Sequence, residues 1–205
     1  MGRFLFLLVL CPLGLFAQKH VQRILLTEDI DLILVNTANC FEVQVNTVDE
    51  QVVNAEANIE GEYVDNLNLQ VVSRGSTIFI DAGFSPNFSN PNDKLSAHKV
   101  VSIVLNLSLP KNRNVEVYGT SSRVVVNGAY KKLNIILSDG VCEVNNAVGV
   151  IKVKTQSGAI KVLSNAANIS ATTKYGEVSP NIIPNGFSTY DLQTVTGNIE
   201  LIKTE

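Results

Sequence analysis

From Val115 onward, apolar and polar residues alternate in short runs, and the pattern recurs about every 18 residues. The segments 115–126, 133–144, 151–162, 169–180 and 190–201 align without a gap, each reading as two short strands around one turn. The turn position holds Ser122, Gly140, Gly158, Gly176 and Gly197, with spacings of 18, 18, 18 and 21. Glycine there points to a positive φ or to a backbone approach too close for a side chain. Two columns flank the turn, Val124, Cys142, Ile160, Val178, Ile199 and Val115, Leu133, Ile151, Ile169, Tyr190, and both are apolar throughout. The alternate column Glu116, Asn134, Lys152, Ser170, Asp191 is polar. Period 2 within a strand and period 18 between strands predict one stack turned inward and the other facing water.

The order strand, turn, strand recurs in one direction along the chain. It therefore predicts an all-β, single-domain parallel β-solenoid with about 18 residues per coil, in which successive coils stack in sequence order. Ile160 is then expected between Cys142 and Val178. The step of 21 contains Pro180, Pro184 and the Asn185-Gly186 pair, so a loop over 181–189 is expected to bulge from the stack before the last coil.

Residues 27–109 alternate as well, for instance at 31–35, 41–45, 67–71, 77–80 and 101–109, but without the 18-residue register. They read as an irregular β region that supplies first coils or a cap, while 115–201 carries the regular repeats. Between them, 83–94 is dense in Gly, Pro, Asn and Ser and reads as a long surface loop, with Phe84 and Phe88 holding it to the body. At the far end the stack is expected to close on a bare strand edge, 190–203, with Lys203 and Glu205 as gatekeeping charges. Any self-association is expected there, and glycan contact at the loops 83–97 and 181–189.

Residues 1–17 combine one early positive charge, a short apolar run and Ala17 before Gln18, the pattern of a cleaved signal peptide. Cys11 follows Leu10 deep in the apolar run, which argues against a lipid anchor. The expected mature domain, 18–205, is mildly acidic and has no basic stripe in its sequence, which argues against nucleic acid as a partner; no further run is long enough to span a membrane as a helix. Cys40 and Cys142 remain. Cys142 stands in an inward column and reads as a small hydrophobe, and whether the two pair stays open.

The segments Ser-Gly-Ala-Ile-Lys-Val (157–162) and Thr-Val-Thr-Gly-Asn-Ile-Glu-Leu (194–201), with the entry Leu-Pro-Lys-Asn-Arg-Asn-Val-Glu-Val (109–117), resemble the bacterial putative-adhesin family of β-helical domains, related to the head GIN domain. The resemblance covers 100–205 well and 27–99 loosely, and the Phe-Ala-Gln end of the leader is similar to those of Bacteroidetes. It implies a secreted or envelope-exposed β-helix without an assigned ligand.

Enzyme chemistry is hard to place on this chain. The acidic residues of the repeats, Glu116, Asp139, Glu143, Glu177, Asp191 and Glu200, share no column, and the two histidines, His20 and His98, are far apart. Neither zinc-ligand spacing nor a Gly-Gly-x-Gly-x-Asp calcium repeat occurs. Asp29 with Asp31, and Glu60 with Glu62, read as solvated strand faces. The expectation is a non-enzymatic adhesin-like module with no catalytic, metal or cofactor residues. The alternatives are a self-assembling structural envelope protein and, third, a carbohydrate-active enzyme.

Overall fold

The computed structural model describes residues 18–26, 29–61, 64–85 and 101–205. The proposed leader, Cys11, Phe88, His98, Glu62 and most of the 83–97 loop lie outside the described residues. Fourteen strands are described: β1 (Gln18–Leu26), β2 (Leu32–Asn36), β3 (Glu42–Val48), β4 (Val52–Gly61), β5 (Leu67–Arg74), β6 (Thr77–Phe84), β7 (Val101–Pro110), β8 (Asn114–Gly119), β9 (Arg123–Leu137), β10 (Cys142–Thr155), β11 (Ile160–Ser164), β12 (Asn168–Thr173), β13 (Thr189–Thr194) and β14 (Ile199–Lys203). Gly83 and Phe84, expected in the loop, are the last residues of β6.

The strands form one mixed sheet that doubles over a core of aliphatic side chains. The expectation of a wholly parallel solenoid is corrected here: β4 pairs antiparallel with both β1 and β7, and β5 pairs antiparallel with β6. The other pairings are parallel. The long strands β9 and β10 each bend at a corner, so their first halves lie in one wall and their second halves in the other.

The wall that contains the second halves runs β5, β6, β2, β8, β9, β10, β13, β12. Its opposite runs β1, β4, β7, β3, β9, β10, β11, β14. Ile78, Ile33, Val115, Leu133, Ile151 and Tyr190 stack in the first wall and Leu105, Val43, Val124, Cys142, Ile160 and Ile199 in the second, and all twelve are buried. Part of the N-terminal half therefore does share the repeat. Its register is hidden in the sequence because β4 and β5 are interposed between β3 and β6, and residues 85–100 between β6 and β7.

A second correction concerns coil order. Ile160 pairs with Cys142 on one side and with Ile199, not Val178, on the other; Val178 meets Ile199 from beyond. In the opposite wall Tyr190 lies between Ile151 and Ile169. The last coil is thus tucked inside the stack, and the segment 169–180 forms the rim. The 181–189 loop carries the chain back inward: Ala167 N–H donates to Pro184 O at 2.8 Å, Asn168 Nδ2 donates to Gly186 O at 2.7 Å, and Ile183 is buried. A Cβ on Gly186 would lie 2.6 Å from the Ala166 backbone, so the two connections cross where only glycine fits.

The turn glycines settle the choice left open by the sequence. None of the four has a positive φ. Instead, a Cβ would lie 2.3 Å from Ser122 O at Gly140, 1.7 Å from Gly140 O at Gly158, 2.2 Å from Gly158 O at Gly197 and 2.0 Å from Gly197 O at Gly176. Close stacking of turn on turn demands glycine, and the contacts repeat the tucked order. Threonine hydroxyls satisfy these turns: Thr155 donates to Gly158 O at 2.6 Å, and Thr194 and Thr173 accept from the Gly197 and Gly176 amides at 3.1 and 3.0 Å. Ser122 begins the row, its hydroxyl donating to Thr37 O at 2.5 Å.

Candidate functional site

The outward faces of the two walls differ in how they treat charge. On the β3–β14 wall, charges alternate and pair. Arg123 bridges Glu42 at 3.1 Å and Glu143 at 3.0 Å, and Lys161 lies 3.9 Å from Glu200. Burial alone would raise the Glu143 carboxyl, but hydrogen bonds from Asn145 and Arg123, with the charges of Arg123 and Lys161, hold it below the usual carboxylate value. Amides extend the row, Asn127 Nδ2 donating to Asn46 Oδ1 at 3.0 Å. A surface of this kind is electrostatically self-satisfied.

The β8–β10 wall does not cancel its charges. A shallow groove of about 740 Å³ crosses it, lined by Lys131, Lys132, Lys152 and Lys154, together with Asn114, Glu116 and Asn134 and the apolar Leu32, Ile136 and Val150. None of these four lysines makes an ion pair or a side-chain hydrogen bond among the described residues. The nearest acid in register, Asp191 opposite Lys152, is engaged by Gln193 Nε2 at 2.9 Å. Glu116 is the one acidic residue of the lining.

Local folding explains the cluster. Along β10, Val150, Lys152 and Lys154 project outward while Ile151, Val153 and Thr155 are buried. Lys132 is the cross-strand neighbour of Val150 and also pairs with Asn114. Lys131 is exposed beside it because the corner breaks the alternation: Gly128 (φ 107°) and Gly149 (φ 126°) sit at the bends, and the pairing slips between Asn145 and Val150. Buried Tyr130 fixes this corner, its hydroxyl within 3.0 Å of Val45 O and 2.8 Å of Asn127 O, and burial pushes its pKa up. Tyr190 braces the same corner by donating to Ala147 O. Asn114 Oδ1, at the groove, is buried without a donor.

The sequence reading did not find this groove, since its lysines come from two strands and the corner between them. The signal within reach was the pair Lys152 and Lys154, two apart on an outward face. The residues it did single out are scattered. The 181–189 loop lies at the crossing of the connections, with Phe187 and Ile182 exposed. The 190–203 edge is corrected: β13 lies between β10 and β12, and β14 between β11 and Val178, so the exposed rim is 168–178. His20 Nδ1 lies 2.7 Å from Asn58 Oδ1 on the β1–β4 pair. Cys40 and Cys142 are free and buried; burial, with Asp81 nearby, pushes the Cys40 thiol up to about 12, and burial raises Cys142 further, so neither is a ready nucleophile. Among the described residues no helix is long and apolar enough to cross a membrane.

No family model matches the sequence, and no curated protein does. Among solved structures, the chain is similar to a "putative cell adhesion protein" from Clostridium sporogenes, with a TM-score of 0.61 and 11% identity over 92% of this chain and 100% of that one. The likeness is one of fold. Two others are described as a "putative adhesin": one from Bacteroides fragilis (TM-score 0.31, 13% identity, 90% of this chain and 97% of that one) and one from Parabacteroides distasonis (0.35, 11%, 90% and 97%). They superpose too poorly to add to it.

Proposed function

We propose that this protein is an exported, non-enzymatic, adhesin-like module of the cell envelope, of the putative-adhesin type, that holds a ligand on the outward face of its β8–β10 wall. Residues 115–201 act in it as a short two-walled solenoid. The observation that carries the reading is the contrast between the two faces: one pairs its charges, while the other leaves four lysines unpaired over a groove. Four lysines against Glu116 and Asp191 leave that face with an excess of positive charge, which favours association with an oppositely charged partner. The fold shared with a protein described as a cell adhesion protein supports this, as does the leader-like segment 1–17.

The test is binding of the purified protein to immobilised envelope glycans and to whole cells, with the ligand recovered and weighed for cleavage. Saturable binding with the ligand intact is expected. Release of cleaved product, or no binding to any surface, overturns the reading. The alternative of self-assembly draws on the rim strand β12, which pairs on one side only and carries no charge. The opposite end is closed by β1 and β5, so this rim favours a pair over a filament, and sedimentation at rising concentration separates pairing from ligand binding.

A further inference from the structure

We propose that the lysine groove is a binding site for an extended anionic polysaccharide. The inference rests on the binding-module reading above and names its ligand class. Lys152 and Lys154 project from one strand two residues apart, roughly 6.7 Å, and Lys132 stands on the neighbouring strand opposite Val150, about 8 Å from Lys152 on the diagonal. Together with Lys131 they form a file of positive charge across the wall, opposed within the lining only by Glu116. A file of separated point charges suits a polymer with an anion on successive units better than one compact multivalent anion, which would need them converged. The groove is open and shallow, as a chain laid across a sheet requires.

The rest of the lining narrows the chemistry. Asn114 and Asn134 stand among the lysines, and side-chain amides of this kind offer donors and acceptors to hydroxyl groups. Ile136 and Val150 are part-exposed apolar surfaces among them, suited to the C–H faces of sugar rings. The lining itself has no aromatic ring; Tyr118, exposed beside Ile136, borders it as a single platform rather than the row that successive unstacked bases would use. The apolar side chains are interspersed with the lysines on a flat strand face rather than projecting as a wedge, which disfavours insertion into a bilayer.

The experiment compares the intact protein with the triple variant Lys132→Gln, Lys152→Gln, Lys154→Gln. A control triple, Lys111→Gln, Lys161→Gln, Lys203→Gln, makes the same change in net charge away from the groove. Probes are polygalacturonate, neutral dextran, an oligothymidylate and phosphatidylglycerol vesicles, titrated calorimetrically at low and at half-molar salt, with circular dichroism confirming that both variants fold. The intact protein is expected to bind polygalacturonate and not dextran, and to weaken as salt rises. The groove variant is expected to lose at least about tenfold in affinity, and the control less than about twofold. No binding of polygalacturonate, a loss in the control equal to that in the groove variant, or preference for the oligonucleotide or the vesicles overturns the proposal. If the groove variant still binds the envelope surfaces of the earlier test unchanged, the groove assignment fails and the module reading stands. If the intact protein binds none of them, the module reading itself fails.

Discussion

The two ends of the stack are closed in opposite ways. At the N-terminal end, β1, β4 and β5 turn antiparallel, and β1 is laid against β5, with Lys19 Nζ donating to Leu67 O at 2.7 Å. That end is capped by added strands, with Lys19, His20 and Arg23 along its outermost member. At the other end nothing is added. The chain builds the rim coil first and then threads its last coil beneath it. The comparison teaches that a repeat array can protect an end either by changing strand direction or by changing the order in which identical units are stacked, and the two solutions fail differently when cut.

Removal of residues 190–205 is the most severe way to break the comparison. β12 pairs with β13 alone and Val178 meets Ile199 alone, so deleting one coil should release two. The loss of Tyr190, Leu192, Ile199 and Leu201 from the core, with Ile183 following, is expected to cost more than about 5 kcal/mol. Amide hydrogen exchange should show 165–189 unprotected although they are still present. Deleting 18–26 from the opposite end removes a single strand and should leave β4 protected through β7. Protection of 165–189 in the first truncation would mean that the tucked order is wrong.

A gentler test uses single glycines. At Gly158 an alanine methyl would meet Gly140 O at 1.7 Å, a backbone atom with no room to retreat, and Gly158→Ala should cost at least about 3 kcal/mol. Gly75, in the β5–β6 turn of the capped end, has nothing within 4 Å of a Cβ. Its φ of 59° is the only obstacle, so Gly75→Ala should cost about 1 kcal/mol. Urea midpoints for the two proteins measure the difference directly, and equal shifts would refute the stacked-turn account.

The smallest effect is electrostatic and of opposite sign in the two regions. In the N-terminal half, burial raises the Asp81 carboxyl, partly offset by a hydrogen bond from Asn36. Its ionised form therefore opposes folding at neutral pH, and the penalty is relieved as pH falls through the raised folded value toward the ordinary one. Asp81→Asn should stabilise the protein at neutral pH and lose that advantage in acid. Glu143, in the regular stack, is held low by Asn145, Arg123 and Lys161 against its burial, so it contributes stability above the ordinary carboxylate value that disappears as pH falls through its own. Glu143→Gln should cost about 0.5 kcal/mol at neutral pH and little in acid. Thermal unfolding across the acid range gives both curves, and parallel curves for the two variants would contradict the assignment.

Much of the fold is legible in the sequence. The inward columns Val115, Leu133, Ile151 and Val124, Cys142, Ile160 pair as their period implies, because alternation fixes which face is buried. Coil order could not be read so simply. Like coils are interchangeable partners for one another, so nothing within 169–180 or 190–201 says which lies outermost. That information resides in the 21-residue step and in Gly186, which allows the connections to cross. The parallel strands β2 and β3, one in each wall, are obscured for a different reason, since the chain turns antiparallel at β4 and β5 and rejoins the parallel stack only at β6. The lysine groove is a property of two strands and a corner, and only pairing β9 with β10 reveals it.

The tucked coil also changes how the molecule bears load. β14 is paired with β11 along its length and is touched from the other side by 177–179, where Ile199 N–H donates to Glu177 O and Ser179 N–H donates to Ile199 O. Tension applied along Lys203 must shear this strand past a neighbour on each side, breaking its hydrogen bonds together. A strand on the rim would peel away one bond at a time.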